Sequence, residues 1–191
     1  MRRHYNLPPL PVETVSGFIG DGVRKLVMRS IAGHDIDLDE AVRLNYQFYL
    51  QHLYDKTVLY PGVAAGLPAL FNHGYVLALI SNKATEACNK ILAHFNIAGL
   101  FMSVIGGDSG LPLKPAPDTV LETMRRAQAT PPDTWIIGDN HTDLAAARNA
   151  GVKSAHVSYG IGKTGPEKAA RTFADFNSLV KYFLGLTAPT A

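Results

Sequence analysis

The stretch that decides the fold is WIIGDNHTDLAAARNAGV, residues 135–152, in which a short apolar run is followed by two carboxylates and a helical pattern. The run WIIG has the length and composition of a buried strand. Asp139 or Asn140 would cap the helix that follows, and Gly151 suits the C′ position at its end. Asp139 and Asp143 therefore lie where a strand passes into a helix. That position makes the two carboxylates the first candidates for a binding site.

The alternation of strand and helix extends on both sides of this stretch. Short runs rich in β-branched or aromatic residues, and bounded by Gly, Asn or Asp, predict strands at 75–81, 101–106, 134–138 and 153–158. Apolar residues at helical spacing predict helices at 84–95, 117–129 and 142–151. This order predicts an α/β fold, a doubly wound parallel sheet with a Rossmann-like core, in which ligands bind at the carboxyl ends of the strands.

Residues 1–57 have a different pattern, because no strand-like run occurs there and the apolar spacing is helical. The segment 22–32 places its apolar residues on one helical face, and DLDE at 37–40 is a capping signal for a further helix through residue 54. We therefore predict a small helical module at 1–57 and an α/β domain at 58–191, joined near the Pro-Gly break of VLYPGV.

Composition excludes several classes of protein. With 47% hydrophobic residues, the 191-residue chain can bury a sizeable core. No stretch approaches the ~20 apolar residues of a membrane helix, and the first residues lack the apolar segment of a secretory signal, so we expect a cytoplasmic protein. The net charge of +2 is spread out and gives no nucleic-acid footprint. The single cysteine, Cys88, is expected to be a buried structural thiol, and none of the seven histidines is assigned as a ligand.

Polar residues follow three of the predicted strands. Ser81 and Asn82 follow the first, Lys114 comes after the second, and Asp139 with Asp143 follows the third. Hard carboxylate oxygens suit Mg²⁺, a hydroxyl and backbone N–H groups can hold phosphoryl oxygens, and a lysine can offset their charge. Each feature also has a structural interpretation as a turn, a solvated lysine or a helix cap. Together they predict a phosphate and Mg²⁺ site.

The order ISN, LKPAPD and GDNHTD resembles motifs two, three and four of the haloacid dehalogenase superfamily, in detail those of phosphoglycolate phosphatases and their near relatives. YPGV resembles the linker from cap to core, and the turn with Gly20 and Gly22 resembles part of a helical cap, where it either contacts substrate or only separates two helices. The resemblance runs from about residue 6 to 184. It implies that residues 1–57 are a partial cap and 58–191 the phosphohydrolase core.

The resemblance also assigns roles to the site residues. It implies that Asp139 binds Mg²⁺ and that Asp143 binds the ion or orients its waters. Ser81 and Asn82 would hold the phosphoryl group, and Lys114 would neutralise it. The expected partner is a small phosphorylated metabolite, with no nucleic acid and no membrane, and the protein is expected to be a monomer or homodimer.

One part of the family pattern is missing. Members begin with a strand followed by D-x-D-G-T, whose first aspartate attacks phosphorus to form an aspartyl-phosphate and whose second is the general acid and base. DIDLDE at 35–40 contains D-x-D but follows no strand and lacks Gly-Thr. The deficit of a strand, a connection and a helix is on the order of 30 residues. In the family this strand is central, between the strands bearing ISN and GDN, so its absence would leave both neighbours unpaired and destabilise or rearrange a monomer.

The expected function is therefore that of a Mg²⁺-dependent phosphatase of the phosphoglycolate phosphatase type, hydrolysing 2-phosphoglycolate or a similar monoester. The chain as written, lacking the nucleophile, is expected to be inactive; it is either preceded by upstream residues or a truncated relative. One alternative is a non-catalytic relative that binds phosphate or a partner protein. Another is a different reaction on the same fold, by a pyrophosphatase, a sugar phosphomutase or a metal-free dehalogenase, and the carboxylate pair argues against the last.

Overall fold

A computed structural model describes residues 1–186 of the chain, so the last five residues of the predicted second domain lie outside it. The described chain divides into two compact units, the first Met1–Thr57 and the second beginning at Val58, at the position where the sequence pattern changes. None of its helices is long and apolar enough to cross a lipid bilayer.

The first unit is helical. Its elements are a 3₁₀ turn at Arg2–Tyr5 and the helices α1 (Val12–Ser16), α2 (Val23–Ser30) and α3 (Leu38–Gln51). The predicted apolar face of α2 packs against α3, with Val27, Ile31 and Ala41 buried at the centre. Gly22 precedes α2 with a φ of 88°, a backbone conformation that glycine adopts without strain, so the glycine turn separates α1 from α2.

The predicted capping signal of α3 is confirmed. The Asp37 carboxylate accepts a hydrogen bond from the backbone N–H of Glu40 at 2.7 Å between Oδ1 and N. The helix ends at Gln51, earlier than predicted. The chain turns there, and this turn buries Leu53 and is closed by a hydrogen bond from Thr57 Oγ1 to the Leu53 carbonyl at 2.6 Å.

The second unit has an α/β fold built from parallel strands. Its helices are α4 (Val63–Asn72), α5 (Thr85–His94), α6 (Asp118–Ala127), α7 (His141–Ala150) and α8 (Phe176–Leu184). Its strands are β1 (Leu77–Ile80), β2 (Phe101–Ile105), β3 (Trp135–Gly138), β4 (Lys153–Val157) and β5 (Arg171–Phe173). Short 3₁₀ turns at Ala98–Leu100 and Pro131–Asp133 precede β2 and β3. The predicted strands and crossover helices are confirmed, whereas α4, β5 and α8 were not predicted.

The strands form two separate parallel sheets. β1 pairs with β2 in one, and β3, β4 and β5 follow one another in the other. Within residues 1–186, no strand pairs with both β1 and β3. The carboxyl ends of these two strands are nevertheless connected, because Lys114 contacts Ile80 at the end of β1 and Asp143 just after β3.

Two apolar clusters cover the sheets from opposite sides. The larger joins α4 and α8 to the sheet and is centred on Leu70, Leu179 and Phe183, with Leu77 and Trp135 packed against it. The contact between α4 and α8 is close because position 66 is glycine: a Cβ atom there would lie 2.6 Å from Val180 Cγ2. The smaller cluster contains Val120, Met124 and Ala146 from α6 and α7, with Ile80 and Ile136 packed against it.

Candidate active site

Lys114 connects the ends of β1 and β3. Its ammonium Nζ donates a hydrogen bond to the carbonyl of Ile80, the last residue of β1, at 3.0 Å. It also donates to Asp143 Oδ1 at 2.7 Å, in the first turn of the helix that follows β3. The side chains of this ion pair are 10% and 12% exposed, so solvent screens their attraction little. The sequence order therefore does bring Lys114 and Asp143 together.

Asn82 holds the lysine in place through the backbone. The Lys114 N–H donates to Asn82 Oδ1 and Asn82 Nδ2 donates to the Lys114 carbonyl, both at 2.9 Å. The peptide bond between Lys114 and Pro115 is cis. Because the oxygen and the nitrogen of the Asn82 amide both bind the backbone of Lys114, the Asn82 side chain positions the lysine in this structure. Its predicted contact with phosphate stays a prediction.

Asp143 and Asn140 form a capping box at the start of α7. The Asn140 N–H donates to Asp143 Oδ2 at 3.1 Å, and the Thr142 N–H donates to Asn140 Oδ1 at 3.2 Å. The structural interpretation, in which Asn140 caps the helix, is thus correct. Asp143 is buried, and its two oxygens accept from Lys114 and from Asn140. Gly138 leaves room for it, because a Cβ atom there would lie 2.3 Å from Asp143 Cγ.

A loop after β4 closes over Asp139. The Gly162 N–H donates to Asp139 Oδ2 at 2.8 Å, and the His141 N–H donates to the Lys163 carbonyl at 2.7 Å. A Cβ atom at Gly160 would lie 2.2 Å from Asp139 Oδ2, so the loop approaches this closely only because glycine stands there. Sequence reasoning missed this loop. The glycines of SYGIGKTG after a strand were the available signal.

The end of β1 is organised around Ser81 and Thr85. Ser81 Oγ accepts from the Lys83 N–H at 3.1 Å. Asp108 Oδ1 accepts from the Thr85 backbone N–H at 2.8 Å and from its hydroxyl at 2.6 Å, which together hold the pKa of Asp108 below its usual value. Asp108, in the GGD segment after β2, therefore binds the start of α5. The sequence did not identify this role.

Cys88 and the D-x-D pairs lie outside this constellation. Cys88 is buried, and burial raises the pKa of its thiol, as expected for a structural cysteine. In the first unit, Asp37 caps α3 and Asp39 forms an exposed ion pair with Arg24. The DIDLDE segment is therefore a helix start, as predicted.

The carboxylates suit part of a magnesium site. Mg²⁺ is commonly held by one or two carboxylates and keeps water or phosphate oxygens elsewhere, which Asp139 and Asp143 could satisfy. Both oxygens of Asp143 accept hydrogen bonds, from Lys114 and Asn140, and Asp139 Oδ2 accepts one from Gly162. Among the described residues, no group of three or more His, Cys, Asp or Glu side chains is placed to hold a metal ion.

The fold and the site together define a hydrolase of the haloacid dehalogenase-like type. Residues 1–157 match the model of the haloacid dehalogenase-like hydrolase family, and the chain belongs to that family.

Its curated relatives include phosphoglycolate phosphatases. The chain is 33% identical to the phosphoglycolate phosphatase of Psychrobacter arcticus, over 92% of this chain and 82% of that protein. It is 38% identical to the phosphoglycolate phosphatase of Nitrosospira multiformis, over 79% of this chain and 69% of that protein. The crystal structure of a predicted phosphoglycolate phosphatase from Haemophilus somnus 129PT superimposes with a TM-score of 0.88 at 28% identity, covering 95% of this chain and 86% of that one.

Proposed function

We propose that this chain carries the phosphate-binding and Mg²⁺-binding half of a phosphatase site whose substrate is 2-phosphoglycolate or a similar small phosphate monoester. The observation that carries the proposal is the buried Lys114 ammonium, which joins the end of β1 to Asp143 beside Asp139. The relatives named phosphoglycolate phosphatase support the choice of substrate.

Each residue of the site has a task that its contacts allow. The Ser81 hydroxyl, which accepts from the Lys83 N–H and also has a hydrogen bond with the Cys88 thiol, would turn its proton to a phosphoryl oxygen when substrate binds. Lys114 would offset the charge that develops on the phosphoryl group, held in place by Asn82. Asp139 would ligate Mg²⁺ and Asp143 would orient its waters. The bound ion would neutralise further phosphoryl charge.

The nucleophile of the family reaction is proposed to come from a segment outside these 191 residues. The D-x-D pairs at 35–40 take part in a helix cap and a surface ion pair. Without a nucleophilic carboxylate and a general base, water would have to attack unaided, and general base catalysis alone typically contributes ~10²–10⁴-fold. We therefore propose that the 191-residue chain by itself releases no phosphate above background.

Phosphate release from 2-phosphoglycolate with Mg²⁺ tests this directly. The 191-residue chain should show none, whereas a version preceded by a strand, a D-x-D-G-T loop and a helix should turn over. Changing the first aspartate of that loop to asparagine is the matched control and should abolish turnover. Robust turnover by the 191-residue chain, lost on Asp139→Asn, would overturn the proposal and direct the search for a nucleophile to DIDLDE.

A second candidate is a non-catalytic phosphate-binding protein. It is favoured by the hydrogen bonding of Asp143: both of its oxygens accept from protein groups, so neither is free to bind a metal ion directly. Calorimetry with inorganic phosphate distinguishes the two. Binding to the extended protein, with no phosphate release from 2-phosphoglycolate, would support the second candidate.

A further inference from the structure

The loop that carries Lys114, called the lysine loop below, is held at a second point one residue further on. Asn149 Nδ2 donates a hydrogen bond to the Pro115 carbonyl at 2.9 Å. Asn149 lies in the last turn of α7, whereas Asn82, which binds the Lys114 backbone, follows β1. The backbone of the lysine loop is therefore fixed from two different elements of the second unit.

The oxygen of the Asn149 amide faces Arg148. Asn149 Oδ1 accepts from Arg148 Nε at 3.3 Å and from Nη2 at 3.2 Å. In the flipped orientation the amide oxygen would face the Pro115 carbonyl and the amide nitrogen would face the guanidinium, and neither contact is a hydrogen bond. Arg148 therefore keeps the Asn149 nitrogen directed at the lysine loop.

Arg148 is itself bound to the loop that covers Asp139. Its Nη1 donates to both carboxylate oxygens of Glu167, at 2.8 and 3.0 Å. Glu167 lies between β4 and β5, in the same loop as Gly162, whose N–H donates to Asp139 Oδ2. Glu167, Arg148 and Asn149 therefore connect this loop to the lysine loop, and the three side chains are called the α7 bridge below.

The α7 bridge contributes more to position than to stability. The Arg148 side chain is 65% exposed, and that of Glu167 is 14% exposed. An ion pair with one partner in solvent is screened and typically contributes little to the free energy of unfolding. The bridge nevertheless attaches both loops to one helix, α7, which also carries Asp143, the partner of the Lys114 ammonium.

We propose that Asn149 is a positioning residue for Lys114, and that Arg148 and Glu167 couple it to the loop that covers Asp139. In the proposed reaction Lys114 and Asp139 would act at the same phosphoryl group, and small displacements of such groups lower the rate. The inference rests on the proposed function only for this use of the two groups. The coupling of the loops needs no phosphatase chemistry, so the two proposals can fail separately.

Amide hydrogen exchange of the 191-residue chain, measured by NMR, tests the positioning role. The Lys114 N–H donates to Asn82 Oδ1, so its protection reports the opening of the lysine loop. Asn149→Ala should lower this protection roughly 5-fold, the worth of one ordinary hydrogen bond. The amides of β4, the central strand of its sheet, should keep their protection. Alanine has a higher helix propensity than asparagine, so α7 should be retained in the variant.

Glu167→Ala tests the coupling between the loops. It should lower the protection of the Gly162 N–H in its own loop. It should also lower that of the Lys114 N–H, by roughly 2-fold, the worth of one weak hydrogen bond. In the double variant with Asn149→Ala, the Lys114 N–H should be as protected as in Asn149→Ala alone, because the connection through Arg148 is already broken.

Glu122→Ala is the matched control. It removes a carboxylate that accepts from two arginines, Arg125 and Arg126, within α6 and outside the α7 bridge. The Lys114 and Gly162 amides should keep their wild-type protection in this variant. The proposal would be overturned by an unprotected Lys114 N–H in the wild type or by unchanged protection in Asn149→Ala. Additive losses in the double variant, or equal losses in the control and in Glu167→Ala, would overturn it as well.

Turnover of 2-phosphoglycolate by the extended protein tests the proposed function separately. If Lys114 stabilises charge in the transition state, Asn149→Ala should lower kcat and kcat/KM by the same factor and leave KM unchanged. Faster exchange of the Lys114 N–H together with a lower kcat would support both proposals. Faster exchange with an unchanged kcat would support the positioning role and count against the proposed role of Lys114 in catalysis.

Discussion

Replacing Lys114 with methionine should destabilise the second unit strongly. The Lys114 ammonium donates hydrogen bonds to Asp143 Oδ1 and to the Ile80 carbonyl. The side chains of Lys114 and Asp143 are each about nine-tenths buried. Removing one partner of a buried pair leaves a desolvated charge and typically costs ~3–5 kcal/mol. Since about a tenth of each side chain remains exposed, we expect the lower end, about 3 kcal/mol. That corresponds to a fall of roughly 10 °C in Tm for a unit of this size.

Urea unfolding at neutral pH measures the change through the midpoint and slope. The matched control is Lys90→Met, which removes a surface pair with Glu86 whose side chains are half exposed, and it should cost under ~0.5 kcal/mol. The double variant Lys114→Met with Asp143→Asn should recover part of the loss, because no charge is then left buried and the asparagine oxygen can still accept from the Asn140 N–H. A loss for Lys114→Met no larger than the control, or strictly additive losses in the double variant, would refute the reasoning.

Three further predictions concern the surroundings of the lysine. Asp139→Asn in the extended protein should weaken Mg²⁺ binding in calorimetry and phosphate release together, and unchanged values in both would exclude the residue as a ligand. Gly160→Ala should cost ~1–3 kcal/mol in urea unfolding, because its Cβ would overlap the Asp139 carboxylate, whereas Gly99→Ala meets open space and should cost less. Folding lowers the pKa of Asp108, so the ionised carboxylate stabilises the folded state. This contribution to the free energy of unfolding is complete above the usual pKa of an aspartate and is lost as the pH falls through the lowered pKa. The difference in free energy of unfolding between the wild type and Asp108→Asn should therefore become smaller as the pH is lowered. A difference that stays constant down to pH 3 would contradict this.

Local patterns predicted most of the second unit. β3 and α7 were identifiable because an apolar run, a capping residue and a terminal glycine all occur within one short stretch; Gly151 indeed ends α7 with a φ of 71°. β5 could not be predicted in the same way. It has three residues, two of them exposed, and its place is set by pairing with β4.

The candidate site was predicted as a set of residue types, without its internal contacts. The order of strand ends predicted that Lys114 and Asp143 would meet. The pairing of Asn82 with the lysine backbone spans 32 positions, and the contact of Gly162 with Asp139 spans 23. Neither is visible to rules based on neighbouring residues, because both depend on how loops fold back over strand ends.

The two hydrogen bonds between the Asn82 side chain and the Lys114 backbone have an entropic consequence. A free lysine side chain loses roughly 1.5–2 kcal/mol of rotamer freedom when it is immobilised. Here the backbone of Lys114 is fixed by two hydrogen bonds and its ammonium by two more, so that freedom is lost when the chain folds. An anion arriving at the site meets a cation that is already oriented, and the ordering cost does not reduce its affinity.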